Sequence, residues 1–125
     1  MTSFQIKRAY EEPAADDGWR VLVDRLWPRG LKKEAAELDA WLKDVAPTPD
    51  LRTWWDHDPE RMEEFAARYR AELDDNPALD QLRRMGQVHD TVTLLYAARD
   101  THVNHARVLV EVLRAPRVAA WQTPR

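Results

Sequence analysis

Residues 20–30 of the chain, RVLVDRLWPRG, join an uninterrupted apolar run to a charged turn. The run covers residues 21–23, and β-branched residues without polar interruption favour a strand that is covered on both of its faces. Such strands are typical of parallel sheets. The stretch therefore predicts a central strand of an α/β fold, and it raises the question of why that strand ends in Asp24 and Arg25.

The rest of the sequence separates into strand-like and helix-like segments. Short β-prone runs predict strands at residues 3–8, 19–26 and 90–98. Apolar residues spaced three and four apart, and cap-plus-proline starts, predict the helices. These helices are expected at residues 33–45, 49–56, 58–75, 76–85 (ending at Gly86) and 105–115. Residues 116–125 fit either a tail or a last edge strand.

The order of these segments indicates a fold class. Strand, strand, several helices, strand and helix predict one α/β domain over residues 1–125, with a small, mostly parallel sheet of three or four strands packed with about five helices. We expect residues 20–26 and 91–97 to form the central pair. The long helical connection between them is compatible with a right-handed parallel crossover.

Composition narrows the class of protein further. The chain is 44% hydrophobic and 33% charged, which is typical of a globular protein in water. It contains no apolar run of about 18 residues, so we expect no membrane span. It has no cysteine, which excludes disulfide and thiol chemistry. Together with the absence of a signal-peptide pattern at the N-terminus, this favours a cytoplasmic protein.

Charged and polar residues follow each predicted strand. Because ligands of open α/β sheets bind outside the carboxyl ends of the strands, we expect these residues to line one site. Arginine presents a planar fork that suits carboxylate or phosphate, and the start of the last helix adds backbone N–H donors. The expected ligand-binding residues are Lys7, Arg8, Arg25, Trp27, Arg29, Tyr96, Arg99 and Asn104, and the acid–base candidates are Asp24 and His105.

Three motifs carry a resemblance to a known family. The segments VLVDRLWPRGLKK, FAARYRAEL and TLLYAARDTHVNHARVLVEVL resemble the domain of unknown function 488 family, in its short YeaO-like branch. The resemblance covers residues 4–114 and implies an α/β fold with a site between the DRLWPRG turn and the last helix. Longer relatives have Cys-His-Arg where this chain has Asn104, His105 and Ala106, so any thiol mechanism of those relatives does not transfer.

Several other functions remain open from the sequence. Asp100, His102 and His105 lack a further ligand at a recognisable spacing, so we expect no metal, and no cofactor motif is present. A nucleic-acid partner is disfavoured by an acidic middle segment, residues 34–90, with a net charge of −8. Trp54 and Trp55 are consistent with core packing or with a protein-binding patch, and both a monomer and a homodimer are compatible with the sequence. Residues 56–58, Asp-His-Asp, are interpreted as the cap of a helix.

Overall fold

The computed structural model describes residues 2–115, and the expected tail or edge strand at residues 116–125 lies outside this range. Within it the strands are β1 (Ser3–Arg8), β2 (Trp19–Leu22), β3 (Ala40–Trp41) and β4 (Thr91–Tyr96). The helices are α1 (Lys33–Ala36), α2 (Pro49–Trp55), α3 (Met62–Asp74), α4 (Pro77–Val88) and α5 (His105–Arg114). Short 3₁₀ turns lie at Ala15–Asp17, Lys43–Val45 and Pro59–Arg61.

The described strands form one parallel sheet in the order β1-β4-β2-β3. β2 and β4 are neighbours at its centre, with Val21 opposite Leu94, and β1 pairs with the other side of β4. The predicted α/β class and central strand pair are therefore confirmed. Because all the paired strands run the same way, their carboxyl ends meet at one edge of the sheet.

The two faces of the sheet bury different kinds of residue. On the first face, Val21 and Leu94 belong to a large core to which α3 and α5 contribute Phe65, Tyr69 and Leu109. On the second face a smaller cluster forms under the turn after β2, and polar residues lie beside it. The apolar members of the small cluster are Ala9, Leu22 and Leu95, with Trp27, Leu31, Leu38 and Trp41 packed against them.

The helix predicted for residues 33–45 is wrong in most of its length. Only Lys33–Ala36 is helical, and Glu37 then adopts a left-handed conformation with φ of 45°. The buried guanidinium of Arg20 donates to the carbonyls of Ala36 and Glu37, which occupies the acceptors at the end of this helix. The chain then pairs with β2 as β3, so a tertiary contact overrides the helical spacing.

Two predicted boundaries also shift. β2 ends at Leu22, four residues before the predicted end, although Val23 still donates to the carbonyl of Leu95. α4 continues through Gly86 to Val88 instead of ending there. A Cβ at Gly86 would lie 2.5 Å from the Phe4 ring, so this glycine allows close packing of α4 on β1 and does not terminate the helix.

Candidate functional site

Asp24 and His105 meet at the carboxyl edge of the sheet. Asp24 follows β2, and its Oδ2 accepts a hydrogen bond of 3.0 Å from the backbone N–H of Ala97, just after β4. Its Oδ1 lies 3.4 Å from Nε2 of His105, the first residue of α5. The side chains are only 16% and 12% exposed. Two residues far apart in the sequence are thus brought into one largely buried pair.

The surroundings of His105 favour its neutral form. Nε2 lies 3.0 Å from the carbonyl oxygen of Val23. Because a carbonyl only accepts hydrogen bonds, we assign the ring proton to Nε2, which leaves Nδ1 as the acceptor of the ring. Burial lowers the pKa of His105, and the nearby Asp24 and Val23 offset this only in part. At neutral pH the ring is an oriented, uncharged group.

Asp24 carries its charge in an unfavourable environment. Burial raises the pKa of this carboxyl group, although His105, the Ala97 N–H and Arg52 oppose the shift. Oδ1 is buried and has no hydrogen-bond partner within residues 2–115. Buried polar atoms are normally hydrogen-bonded, so the unpaired Oδ1 of Asp24 lowers the stability of the fold at this position.

Arg25 is engaged in the fold. Its Nη2 donates to the carbonyls of Ala46 and Pro47 at 3.3 and 3.4 Å, and Nη1 lies 3.7 Å from the carboxylate of Asp44. Its Nε is buried without a partner among the described residues. Arg25 therefore anchors the segment after β3, and its Nε–H is still available as a donor.

The other arginines at this edge differ in how many hydrogen bonds their guanidinium groups make to the rest of the chain. Arg8 donates to the carbonyls of Ala97 and Ala98 and lies over the ring of Tyr10. Arg29 and Arg99 are exposed, and within residues 2–115 neither side chain makes a hydrogen bond or an ion pair. Two guanidinium groups are therefore available to a ligand at the rim.

Tyr96 lies at the end of β4, between charged neighbours. Its side chain is almost entirely buried, and burial raises the pKa of its hydroxyl group. Glu11 raises this pKa further, whereas Arg8 and Arg107 lower it. Arg107 lies in the first turn of α5 and was not identified from the sequence, and the part of the chain that the structure describes offers its guanidinium no hydrogen bond or ion pair.

Three residues expected at the site have structural contacts instead. Lys7 lies on the second face of the sheet, where its Nζ is 3.0 Å from the Asp17 carboxylate. Trp27 donates to the carbonyl of Leu31 and packs edge-on against Trp41. Asn104 is fully buried, caps α5 through the N–H of Arg107, and donates to the carbonyl of Asp100. Strand alternation accounts for the placement of Lys7 and helix capping for that of Asn104. Contact of these three residues with a ligand stays a prediction.

Two residues near the pair were missed by the sequence analysis. Arg52 in α2 and His57 just after it are among the charges that act on Asp24 and on His105. The interpretation of residues 56–58 as a cap is borne out by Asp58, which accepts from the N–H of Glu60. No spacing in the sequence links α2 to the end of β2, so only the packed fold reveals this proximity.

Two cavities of the described structure lie away from the Asp24–His105 pair. One of about 450 Å³ opens where β3 ends and α4 begins, and it includes Asp44, the residue beside Arg25. Another of about 320 Å³ lies at the opposite edge, next to Trp19 and His89. Within residues 2–115, no cluster of three or more His, Asp or Glu side chains is arranged to hold a metal ion.

The tryptophans are mostly used for packing. Trp55 is buried and stacks on Phe65 at 3.8 Å. The ring of Trp54 contacts the guanidinium groups of Arg61 and Arg68, whose Cζ atoms lie 5.3 and 4.3 Å from its centre. Among the described helices, none is both long enough and apolar enough to cross a lipid bilayer.

Comparison with known proteins shows similarity along nearly the whole chain. Residues 3–121 match the family model described as the inactive DUF488-N3 subclade. The chain is 46% identical over 112 residues to the uncharacterized protein Rv3073c of Mycobacterium tuberculosis, covering 90% of this chain and 94% of that protein. It is 38% identical over 115 residues to the uncharacterized protein YeaO of Escherichia coli, covering 90% and 98% respectively. No solved structure matches the chain significantly.

Proposed function

We propose that this chain, which belongs to the DUF488 family in its inactive DUF488-N3 subclade, binds a small anion in the cytoplasm without converting it. The anion is a phosphate- or carboxylate-bearing metabolite or a nucleotide. It binds at the carboxyl edge of the sheet, between the turn after β2 and the start of α5.

The observation that carries the proposal is a set of arginines with no partner at this edge. Their guanidinium groups make no hydrogen bond or ion pair to any residue between 2 and 115. A guanidinium that the fold does not use keeps its full set of donors for a ligand, and paired N–H groups match phosphate or carboxylate oxygens. The set consists of Arg29, Arg52, Arg99 and Arg107.

The absence of turnover follows from what stands beside His105. The neutral ring, oriented by Val23, has an acceptor nitrogen suited to proton transfer. The preceding residue, however, is Asn104, whose side chain is buried and fully occupied as a helix cap. An amide in that role is not a nucleophile, so the residue before His105 supplies no nucleophile to the site.

The test is a thermal-shift and calorimetric titration of the native protein with phosphate, sulfate, ADP and citrate. We expect at least one of these anions to raise the melting temperature by several degrees at saturation, since a ligand at about 100 times its Kd adds about 2.7 kcal/mol. Replacing both rim arginines, Arg29→Met with Arg99→Met, is expected to weaken binding about tenfold or more.

Arg84→Met is the matched control, because Arg84 is also exposed but lies near the far end of α4. It is expected to leave the anion affinity unchanged. If none of the four anions shifts the melting temperature of the native protein, the proposed function is wrong. Equal weakening by Arg84→Met and by the double variant would show a diffuse charge effect in place of a site.

A further inference from the structure

The turn after α2 holds two successive non-glycine residues in the left-handed region. Asp56 has φ of 50° and His57 has φ of 53°. Side chains with a Cβ are disfavoured there, and although aspartate and histidine enter this region more readily than most residues, glycine does so without cost. Glycine would therefore make the same turn more easily, and the side chains present call for another explanation.

Neighbouring contacts hold the turn in this conformation. The N–H of Asp56 donates to the carbonyl of Arg52, and the N–H of Asp58 donates to that of Trp55. The indole N–H of Trp55 in turn donates to the carbonyl of Asp58. Because Trp55 is buried, the turn is tied to the core, and the exposed His57 has a defined position.

A continuous series of aromatic contacts fixes His57 relative to His105. The ring of His57 lies 4.6 Å from that of Trp55, and Trp55 stacks on Phe65 at 3.8 Å. Phe65 lies 5.6 Å from Tyr69, whose ring meets His105 edge-on at 6.1 Å. The exposed and the buried histidine are thus the two ends of one packed row.

The charges of this turn reach the candidate site. His57 and Arg52 are among the groups that act on both Asp24 and His105. His57 is exposed, so its ring nitrogens remain open to a ligand. Arg52 and His57 therefore place two further nitrogen-bearing side chains, from α2 and its turn, within electrostatic reach of the Asp24–His105 pair.

We infer that His57, together with Arg52, binds the anion directly and that this contact is why the turn carries a histidine in place of glycine. The inference rests on the proposed function and names a part of its site that lies outside the three segments on which the resemblance was based. The left-handed backbone conformation of this turn then positions the histidine side chain for binding, as strained conformations commonly do at functional sites.

The experiment measures thermal stability and affinity for inorganic phosphate in His57→Gly and Asp56→Gly. The two variants relieve the same kind of strain in neighbouring exposed residues and loosen the same turn. Both are expected to melt at least about a degree higher than the native protein. His57→Gly is expected to bind phosphate roughly tenfold more weakly, whereas Asp56→Gly is expected to keep its affinity within about twofold.

A further variant separates the imidazole from the backbone. His57→Asn keeps a residue that tolerates the left-handed region, and it is expected to lose affinity as His57→Gly does. Unchanged phosphate affinity in both His57 variants would overturn the inference and leave the proposed function standing. Failure of the native protein to bind phosphate would also overturn the inference, whereas the proposed function would still stand if sulfate, ADP or citrate raised the melting temperature.

Discussion

Asp17 and Asp24 both carry largely buried carboxylates, but the two groups differ in how many hydrogen-bond donors surround them. Asp17 lies on the second face of the sheet with three kinds of donor around it: the Nζ of Lys7, the guanidinium of Arg20 and the N–H of Ala14. Asp24, at the carboxyl edge, accepts one backbone hydrogen bond and leaves its other oxygen without a partner in the described structure.

The pKa shifts of the two groups follow from these partners. Burial alone would raise the pKa of Asp17, but the hydrogen bonds from Ala14, Lys7 and Arg20 outweigh it, and the pKa is lowered. For Asp24 burial prevails and the pKa is raised. A carboxylate with every acceptor occupied stabilises the fold, whereas one left short of donors beside an oriented histidine is a candidate for function.

The largest expected effect is that of Asp17→Asn. It leaves Lys7 and Arg20 without the buried carboxylate that balances them, and breaking such a pair typically costs about 3–5 kcal/mol. Urea denaturation at pH 7 measures the free energy of unfolding. Asp16→Asn, at the exposed neighbouring position, is the control and is expected to stay within about 0.5 kcal/mol of the native protein. A loss of under about 1 kcal/mol in Asp17→Asn would contradict this account of the second face.

Lys7→Met is expected to have a smaller effect, because Asp17 keeps its contact with the more deeply buried Arg20. Lys7 is 17% exposed at its side chain, and we expect a loss of about 1–2 kcal/mol in the same denaturation assay. The affinity for phosphate should not change, since the contact lies on the other face. Weaker phosphate binding without a loss of stability would restore Lys7 to the ligand-binding set that the sequence suggested.

Asp24→Asn is expected to cost about 1 kcal/mol or less, even though Asp24 is also largely buried. The amide oxygen can still accept from the N–H of Ala97, and the other oxygen has no hydrogen bond to lose. Unfolding in urea, run beside Asp17→Asn, gives the comparison directly. Equal destabilisation by the two substitutions would remove the distinction between the regions.

The last expected effect, of about the same size as that of Asp24→Asn, is the dependence of the free energy of unfolding on pH through His105. Its folded pKa lies below the ordinary 6.5, so the unfolded chain takes up a proton that the folded protein resists. Well above pH 6.5, His105 therefore does not lower the free energy of unfolding. As the pH drops below 6.5, the free energy of unfolding falls by up to about 1.4 kcal/mol per pH unit through this one group. The raised pKa of Asp24 acts with the opposite sign at lower pH, so the measurement compares pH 7.5 with pH about 5.5.

His105→Gln tests this origin of the pH dependence, because an amide N–H can still donate to the carbonyl of Val23 but does not titrate. The variant should lose less stability than the native protein between the two pH values. Identical losses would mean that His105 has an ordinary pKa in the folded chain.

The elements that could be predicted from the sequence carry strong local signals. β4 and the central run of β2 are apolar and β-branched, and α4 and α5 begin at asparagine caps that the structure shows in contact with backbone N–H groups. The helix predicted over residues 33–45 failed because its end depends on the buried guanidinium of Arg20, which belongs to β2. Local spacing contains no information about such a donor.

The candidate site divides in the same way. The meeting of Asp24 and His105 was anticipated from the rule that parallel strands present their carboxyl ends together. The register of β1 places Lys7 on the second face of the sheet. The packing of α2 brings Arg52 and His57 near Asp24 and His105. Register and packing are set by the burial of whole faces, so a list of charged residues near strand ends cannot show which of them face one another in the folded chain.

The sequence by itself determined the α/β class, the central strands and which charged residues follow them, because the hydrophobic pattern and turn chemistry act over a few neighbouring residues. Only the tertiary structure decided which of those charges are neutralised inside the fold and which remain free. The reason is physical: a guanidinium or carboxylate binds whatever partner the packed chain brings within hydrogen-bond distance, and those partners lie far away along the sequence.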